Sequence, residues 1–386
     1  MKNMTFRHSD QKNDVILIPT GEIKDTRSPL QILLCLVLAL IIIFALTNLY
    51  SAGIHTGFFY MQIRHFFIGL SFFLVLGWIL PFSYIQTYAY WYLGLVILLL
   101  GLVLVVGSSA GGAQRWLEIG PLRLQPSEFA KIALPIAIAK FFAEHRQVQP
   151  YTLKELWPVI VMTMVTFGLI FLEPDLGTAG FCLLIVTAQL VFIRLDIKSV
   201  GLVAAGGVVA LVAGWTLFLK DYQKLRILNL VNPHMDPYGS GYNSAQSLIA
   251  VGSGGGFGKG YLHGTQTQLQ FLPARHTDFV FSVFAEEQGF WACLVVFILF
   301  VCLTYVALMI ARQAKDSFSA LVGVGIAAMI FMGFTINVAM ILGIFPVVGM
   351  PFPFFSFGGS AMLTNMAAMG LLIAMDREAM GRKNLL

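Results

Sequence analysis

Charge is scarce in this sequence: Asp, Glu, Lys and Arg make up 11% of 386 residues, against roughly 25% in an ordinary soluble domain. That shortage excludes a conventional water-soluble protein. Cysteine is scarce too. Cys35, Cys182, Cys293 and Cys302 each sit inside an apolar run with no CxxC or Cys/His spacing. Neither a zinc site nor a disulfide framework is indicated, and the four read as small hydrophobes. No small-residue cleavage pattern follows the first apolar run, which comes after a largely polar segment, so that run is expected to stay as a span. No fixed-period repeat or low-complexity tract is visible.

Apolar length is abundant. The chain is 58% hydrophobic with a mean hydropathy of +0.81, and runs long enough to cross a hydrocarbon layer of ~30 Å recur along it. Spans are expected at Gln31 to Leu49, His65 to Leu80, Tyr88 to Val106, Ser127 to Phe142, Trp157 to Leu172, Leu176 to Ile193, Gly201 to Leu219, Phe284 to Ile310, Ser319 to Ile344 and Ser360 to Met375. The expected fold is therefore an all-α integral membrane protein of about ten transmembrane helices. With the N-terminus inside, the cytoplasmic segments hold 15 of the 24 Lys and Arg, and five of the remaining nine lie in one long loop, where the positive-inside rule has less force. Both termini are thus expected in the cytoplasm. The organisation is a cytoplasmic tail at 1–29, a polytopic domain at 30–376 with a large extracytoplasmic loop at about 220–283, and a short cytoplasmic tail at 377–386. The net charge of +5 reports this bias and contact with anionic membrane lipids rather than nucleic acid.

Two motifs are decoys. Gly107 to Gly111 reads GSSAG but ends an expected membrane helix, which is the wrong context for a serine-hydrolase elbow. Gly252 to Gly260 reads GSGGGFGKG, yet Ser253 and Gly260 stand where a phosphate loop needs Gly and Ser or Thr. A bent or re-entrant loop is the expectation there.

The remaining charge is concentrated. QPSEFAKIALP places Glu128 and Lys131 three residues apart at the start of an apolar run, either as a helix-start ion pair or as part of a polar pocket inside the membrane. LEPDLG places Glu173 and Asp175 between two runs. Its plain role is to turn the chain and start the next helix. FLPARHTDFVF sets Arg275, His276, Thr277 and Asp278 beside an apolar run, where Asp278 is either a helix cap or a partly desolvated general base. His276 is either an orienting hydrogen-bond partner or an interfacial residue. All three pairs fall toward the outer face in the expected topology, so they could line one outward-opening charged cavity.

Four segments, RWLEIGPLRLQPSEFAKIALP, EPDLGTA, RILNLVNPHMDPYGSGYNSAQSLIAVGSGGGFGKGYLHGTQTQLQFLPARHTDF and FPVVGMPFPFFSFGGSAM, resemble in order the signature segments of the SEDS (shape, elongation, division and sporulation) proteins. LHGTQTQLQFLP is more similar to the elongation-type than to the division-type members. The resemblance runs from the first span to the last. It implies a peptidoglycan glycosyltransferase on the outer face of the bacterial inner membrane, polymerising lipid II and undecaprenyl-pyrophosphate-linked glycan with a class B penicillin-binding protein as partner. It implies Asp278 as the catalytic base. Glu128, Lys131 and Asp175 match polar positions lining the family's central cavity, and Glu173, Gln246, Arg275, His276 and Thr277 join them as expected substrate contacts. Arg115, Lys131 and Arg226 are the expected pyrophosphate-binding cations. No cofactor is certain; a divalent cation, Mg or Mn, is a candidate to share the pyrophosphate charge, although no ligand cluster is visible. Ala274, Asn232 and Gln288 depart from the family's usual Glu, Asp and Leu and leave the proposed base in place. A lipid II flippase and a non-catalytic scaffold of the wall-synthesis machinery are the competing expectations.

Overall fold

The computed structural model describes residues 28–53, 56–110, 113–120, 122–145, 150–193, 195–231, 239–314 and 316–383. Asn232 and the N-terminal tail as far as residue 27 lie outside the described residues.

The helices follow from apolar runs closed by local caps. Helix α1, Pro29–Ala52, starts with Pro at its first position and with the Ser28 hydroxyl accepting the Leu30 N–H at 3.1 Å, a start that satisfies an orphan donor. Helix α2, Phe58–Leu74, runs into a π-helical turn at Val75–Ile79, and Arg377 donates to the Gly77 and Trp78 carbonyls of that turn. Helix α3 is Phe82–Val106 and α4 is Pro126–Glu144. Helices α5, Trp157–Leu172, and α6, Leu176–Val191, are joined by the EPD turn, with the Asp175 carboxylate capping α6 through Thr178 N at 3.3 Å. Helix α7, Ile197–Ala213, again ends in a π turn, Gly214–Phe218.

The expected long loop contains helices: it holds α8, Asp221–Val231, α9, Ser240–Gly254, and the single turn α10, Thr265–Gln268. Helices α11, Val280–Gln313, α12, Ser317–Ile341, and α13, Gly359–Lys383, complete the body. Each of the ten expected spans falls on a helix. Among the described residues six helices are long and apolar enough to cross a membrane, while α5 and α6 are apolar but only 16 residues each. Helix α13 continues through most of the expected C-terminal tail.

One local correction applies to the all-α expectation. Ser108–Ala110, Ala113–Ile119 and Leu122–Leu124 form an antiparallel sheet, β1-β2-β3, with Ser108 opposite Trp116 and Glu118 opposite Arg123. GSSAG thus passes from a helix into a strand, the reverse of a nucleophile elbow.

The core is a layer of phenylalanines and aliphatic side chains where α4, α6, α11, α12 and α13 meet. Phe281, Phe284, Phe300, Phe334, Phe352 and Phe355 pack ring against ring with centroids 4.9 to 6.3 Å apart, in the stacked and edge-on arrangements aromatic quadrupoles favour. This layer lies directly behind the segment that carries Asp278.

Candidate active site

Helix α11 begins at Val280, and its N-cap, Phe279, makes no side-chain cap bond. The plain reading of Asp278 as a helix cap therefore fails. Its carboxylate accepts no hydrogen bond among the described residues, and it is half-buried. The backbone around it is firmly held: the His276, Thr277 and Asp278 carbonyls accept Phe357 N at 2.9 Å, Ser356 Oγ at 2.6 Å and Asn337 Nδ2 at 3.0 Å. A pinned backbone with a free side chain suits acid–base chemistry.

The electrostatics agree. Burial pushes the Asp278 carboxyl up to about 6; Arg226 opposes that rise, Asp175 adds to it and Arg115 opposes it. A carboxylate with that value is about nine-tenths ionised at pH 7 and still basic enough to take a proton.

Beside it is a cavity of about 300 Å³ walled by Arg115, Pro174, Phe181, Tyr222, Arg226 and the Phe345–Val348 stretch. A Cβ at Gly349, φ +73°, would stand 3.7 Å from Asp278 Oδ2, so the loop walling the cavity passes close to this carboxylate. Arg115, from β2, donates to the Glu173 carbonyl at 3.1 Å and to the Pro174 carbonyl, and lies 3.8 Å from Asp175. This one guanidinium therefore ties together the turn between α5 and α6. Arg226 donates to the Val347 carbonyl at 3.2 Å, and its guanidinium lies 5.8 Å from the Tyr222 ring centre. Arg115, Asp175, Arg226 and Asp278 are thus brought together from four separate segments.

The other expected site residues take different places. Lys131 and Glu128 form a buried pair at 2.5 Å, with the ammonium 5.3 Å from the centre of the Phe181 ring. The pair sits behind a cavity wall, its charge already matched. Glu173 is fully buried, and among the described residues both of its oxygens lack a hydrogen-bond partner. Burial and Asp175 push its carboxyl up to about 8 against the opposing pull of Arg115, so the protonated form predominates at pH 7. Arg275 donates to the Ala52 carbonyl at the end of α1 at 3.0 Å. The His276 ring stacks on Phe58 at 4.3 Å, and burial with Arg275 lowers its affinity for a proton. Thr277 bonds back to Ala274 at 3.4 Å, and Gln246 is half-buried on α9.

Sequence reasoning missed Asn337, Ser356 and Gly349. Asn337 left a signal, an amide in the middle of an apolar run, which is costly in a membrane unless its hydrogen bonds are met.

A mainly helical body with several membrane-length apolar helices, holding a carboxylate that accepts no hydrogen bond among the described residues beside two guanidinium groups, defines a polytopic membrane protein with a charged cavity. The FtsW/RodA/SpoVE family, described as cell cycle proteins, matches residues 26–381, and this chain belongs to it. Among curated relatives, the peptidoglycan glycosyltransferase MrdB of Escherichia coli K12 is 39% identical over 89% of this chain and 92% of its own length. The probable peptidoglycan glycosyltransferase FtsW of Synechocystis sp. PCC 6803 is 32% identical over 82% of this chain and 79% of its own. Among solved structures, a chain of a peptidoglycan synthase complex that coordinates polymerization and crosslinking superposes with a TM-score of 0.77 at 31% identity, covering 90% of this chain and 97% of that one. The rod shape determining protein RodA of Thermus thermophilus superposes with a TM-score of 0.68 at 28% identity, covering 89% and 96%.

Proposed function

We propose that this chain is an inverting peptidoglycan glycosyltransferase of the elongation type, with Asp278 as its general base. The observation that carries the reading is the unpaired Asp278 carboxylate, pushed up to about 6, on a pinned backbone beside the cavity of Arg115 and Arg226. The 4-OH of the lipid II GlcNAc attacks C1 of the MurNAc at the end of the growing glycan. As the new C1–O bond forms, the bond from C1 to the pyrophosphate oxygen breaks, and Asp278 takes the hydroxyl proton. Negative charge develops on the departing undecaprenyl pyrophosphate, where Arg115 and Arg226 stabilise it. Lys131 contributes less than the arginines, because Glu128 already neutralises it.

The ten helices are read as ten spans, with both termini in the cytoplasm and the site opening to the outer face of the bacterial inner membrane. At 1.5 Å per residue the 16 residues of α5 or α6 reach about 24 Å, short of a ~30 Å hydrocarbon layer. Their connecting turn is therefore recessed, and a polar head group can meet the site while its lipid tail stays among the helices. A class B penicillin-binding protein is the proposed partner. A dedicated metal cage does not fit the residues present: among the described residues no group of three or more His, Cys, Asp or Glu could hold an ion. No step is routed through a metal.

The test is polymerisation of purified lipid II by the chain with a competent penicillin-binding partner. Glycan strands are expected. Transbilayer movement of lipid II without polymer would establish a flippase instead, and complex assembly with neither activity would establish a scaffold.

A further inference from the structure

Asn337 lies on α12, fully buried among apolar side chains. Its Nδ2 donates twice, to the Asp278 carbonyl at 3.0 Å and to the Met350 carbonyl at 2.7 Å. Both N–H groups of the amide are therefore used, while its Oδ1 is buried without a partner among the described residues. An orphaned buried acceptor is costly, and an apolar side chain would fill the position without that cost. The amide is explained if the two N–H bonds do something an apolar residue cannot. What they join is informative: one end is the backbone of the proposed base, and the other is Met350, which with Val347 and Val348 walls the cavity holding Arg226.

We infer that Asn337 is a positioning residue for glycosyl transfer, setting the Asp278 carboxylate against the cationic cavity by tying both to one rigid amide. The inference rests on the proposed glycosyltransferase reading. Its geometry is closed by neighbouring contacts. Ser356 takes the Thr277 carbonyl at 2.6 Å and itself accepts Phe352 N at 2.7 Å. The next anchor along the chain is Asn48 of α1, which donates to the Val280 carbonyl at 2.8 Å. Asn48 makes the same kind of buried bond to the start of the same helix, yet touches neither Asp278 nor the cavity loop. It is a built-in control for loss of a merely structural bond. Displacement of a reacting group by about 1 Å costs on the order of 100-fold in rate, while a change at Asn337 removes no charge from Arg115 or Arg226 and releases the loop behind Arg226 only at Met350, so KM is expected to change less than kcat.

Asn337→Ala and Asn48→Ala are to be compared in the full complex with its penicillin-binding partner, measuring thermal unfolding together with kcat and KM for lipid II polymerisation. Asn337→Ala is expected to lose about 100-fold in kcat with KM within a few-fold of wild type. Asn48→Ala is expected to lose a similar amount of thermal stability while keeping kcat within a few-fold. Asn337→Leu, which fills the space without donors, is expected to fold and to share the kcat defect. Equal losses of kcat in the Asn337 and Asn48 variants, or normal kcat in Asn337→Leu, would overturn the inference. An Asp278→Asn variant assayed alongside separates the two levels: if it polymerises normally, the general-base reading fails; if it is inactive while Asn337→Leu is fully active, only the positioning role fails.

Discussion

Arg115 lies 3.8 Å from Asp175 and binds the two carbonyls that precede it, those of Glu173 and Pro174. A residue of the small β-sheet thereby holds the turn between two helices and presents the rest of its charge to the cavity. Arg115→Ala removes both functions. A loss of about 100-fold or more in polymerisation rate is expected, the scale of deleting one charge-stabilising donor. Arg115→Lys should recover little, because an ammonium cannot copy the forked contact with two carbonyls and a carboxylate. Initial rates of glycan formation at saturating lipid II check this.

Polymerisation should depend on pH through Asp278. The base works ionised and its carboxyl is pushed up to about 6, so kcat/KM is expected to be level above pH 7 and to fall about tenfold per pH unit below 6. A limb near 4, the ordinary carboxylate range, would mean that the site does not desolvate this group.

The same shift has a stability consequence of opposite sign. The folded-state value, about 6, lies above the ordinary 3.8, so the native state binds the proton more tightly than the unfolded chain does. The group's stabilising contribution is complete below about 3.8 and is lost as pH rises through about 6. Asp278→Asn, which cannot ionise, should therefore unfold a few degrees higher than wild type at pH 8. The gap should close toward pH 4. Thermal unfolding across that range measures both ends of the prediction.

The Lys131–Glu128 pair is buried on both sides, with side-chain exposures of 7% and 5%. Removing one partner leaves an uncompensated buried charge, at a cost of about 3 to 5 kcal/mol. Lys131→Met should therefore unfold well below wild type. The double variant Lys131→Met with Glu128→Gln should recover much of the loss, as a double-mutant cycle of unfolding free energies would show.

The glycine-rich segment is a structural clamp. Helix α11 breaks at Gly289, φ +75°, and the Glu286 and Glu287 carbonyls at the break accept Lys259 N and Gly260 N at 3.0 Å each. After the break, Phe290 N and Trp291 N donate to the Gly255 and Gly256 carbonyls at 2.9 and 3.2 Å. A Cβ at Gly258 would stand 2.1 Å from the Glu287 carbonyl oxygen, whereas one at Gly252 meets nothing within 4 Å. Gly258→Ala should lower the yield of folded protein sharply. Gly252→Ala, six positions earlier, should be neutral or slightly stabilising, as expression and thermal unfolding of the two will report.

The helices were legible in the sequence because a membrane span is written as apolar length, and Trp157 to Leu172 falls on its helix residue for residue. Asp278 was legible because a carboxylate beside an apolar run is rare. The strands were not, since Ser108–Ala110 and Leu122–Leu124 are three residues each, too short for alternation to register, and the seven residues of Ala113–Ile119, AQRWLEI, do not alternate strictly. Nor could spacing separate Arg115, which faces the cavity, from Arg275, which ends up on the last turn of α1. Both are arginines near the outer face, and only tertiary packing decides what each one reaches. Glu173 was grouped with Asp175 by adjacency, yet although both carboxyls are buried only Asp175 finds partners, Arg115, Gln125 and Thr178 N, while Glu173 has none among the described residues.

The most direct measurement is polymerisation of purified lipid II by wild type and Asp278→Asn, each with a class B penicillin-binding protein added and with folding verified by thermal unfolding. Polymer from wild type and none from a folded, more heat-resistant Asp278→Asn is the predicted result. Equal polymer from both would contradict the assignment of Asp278 as the base.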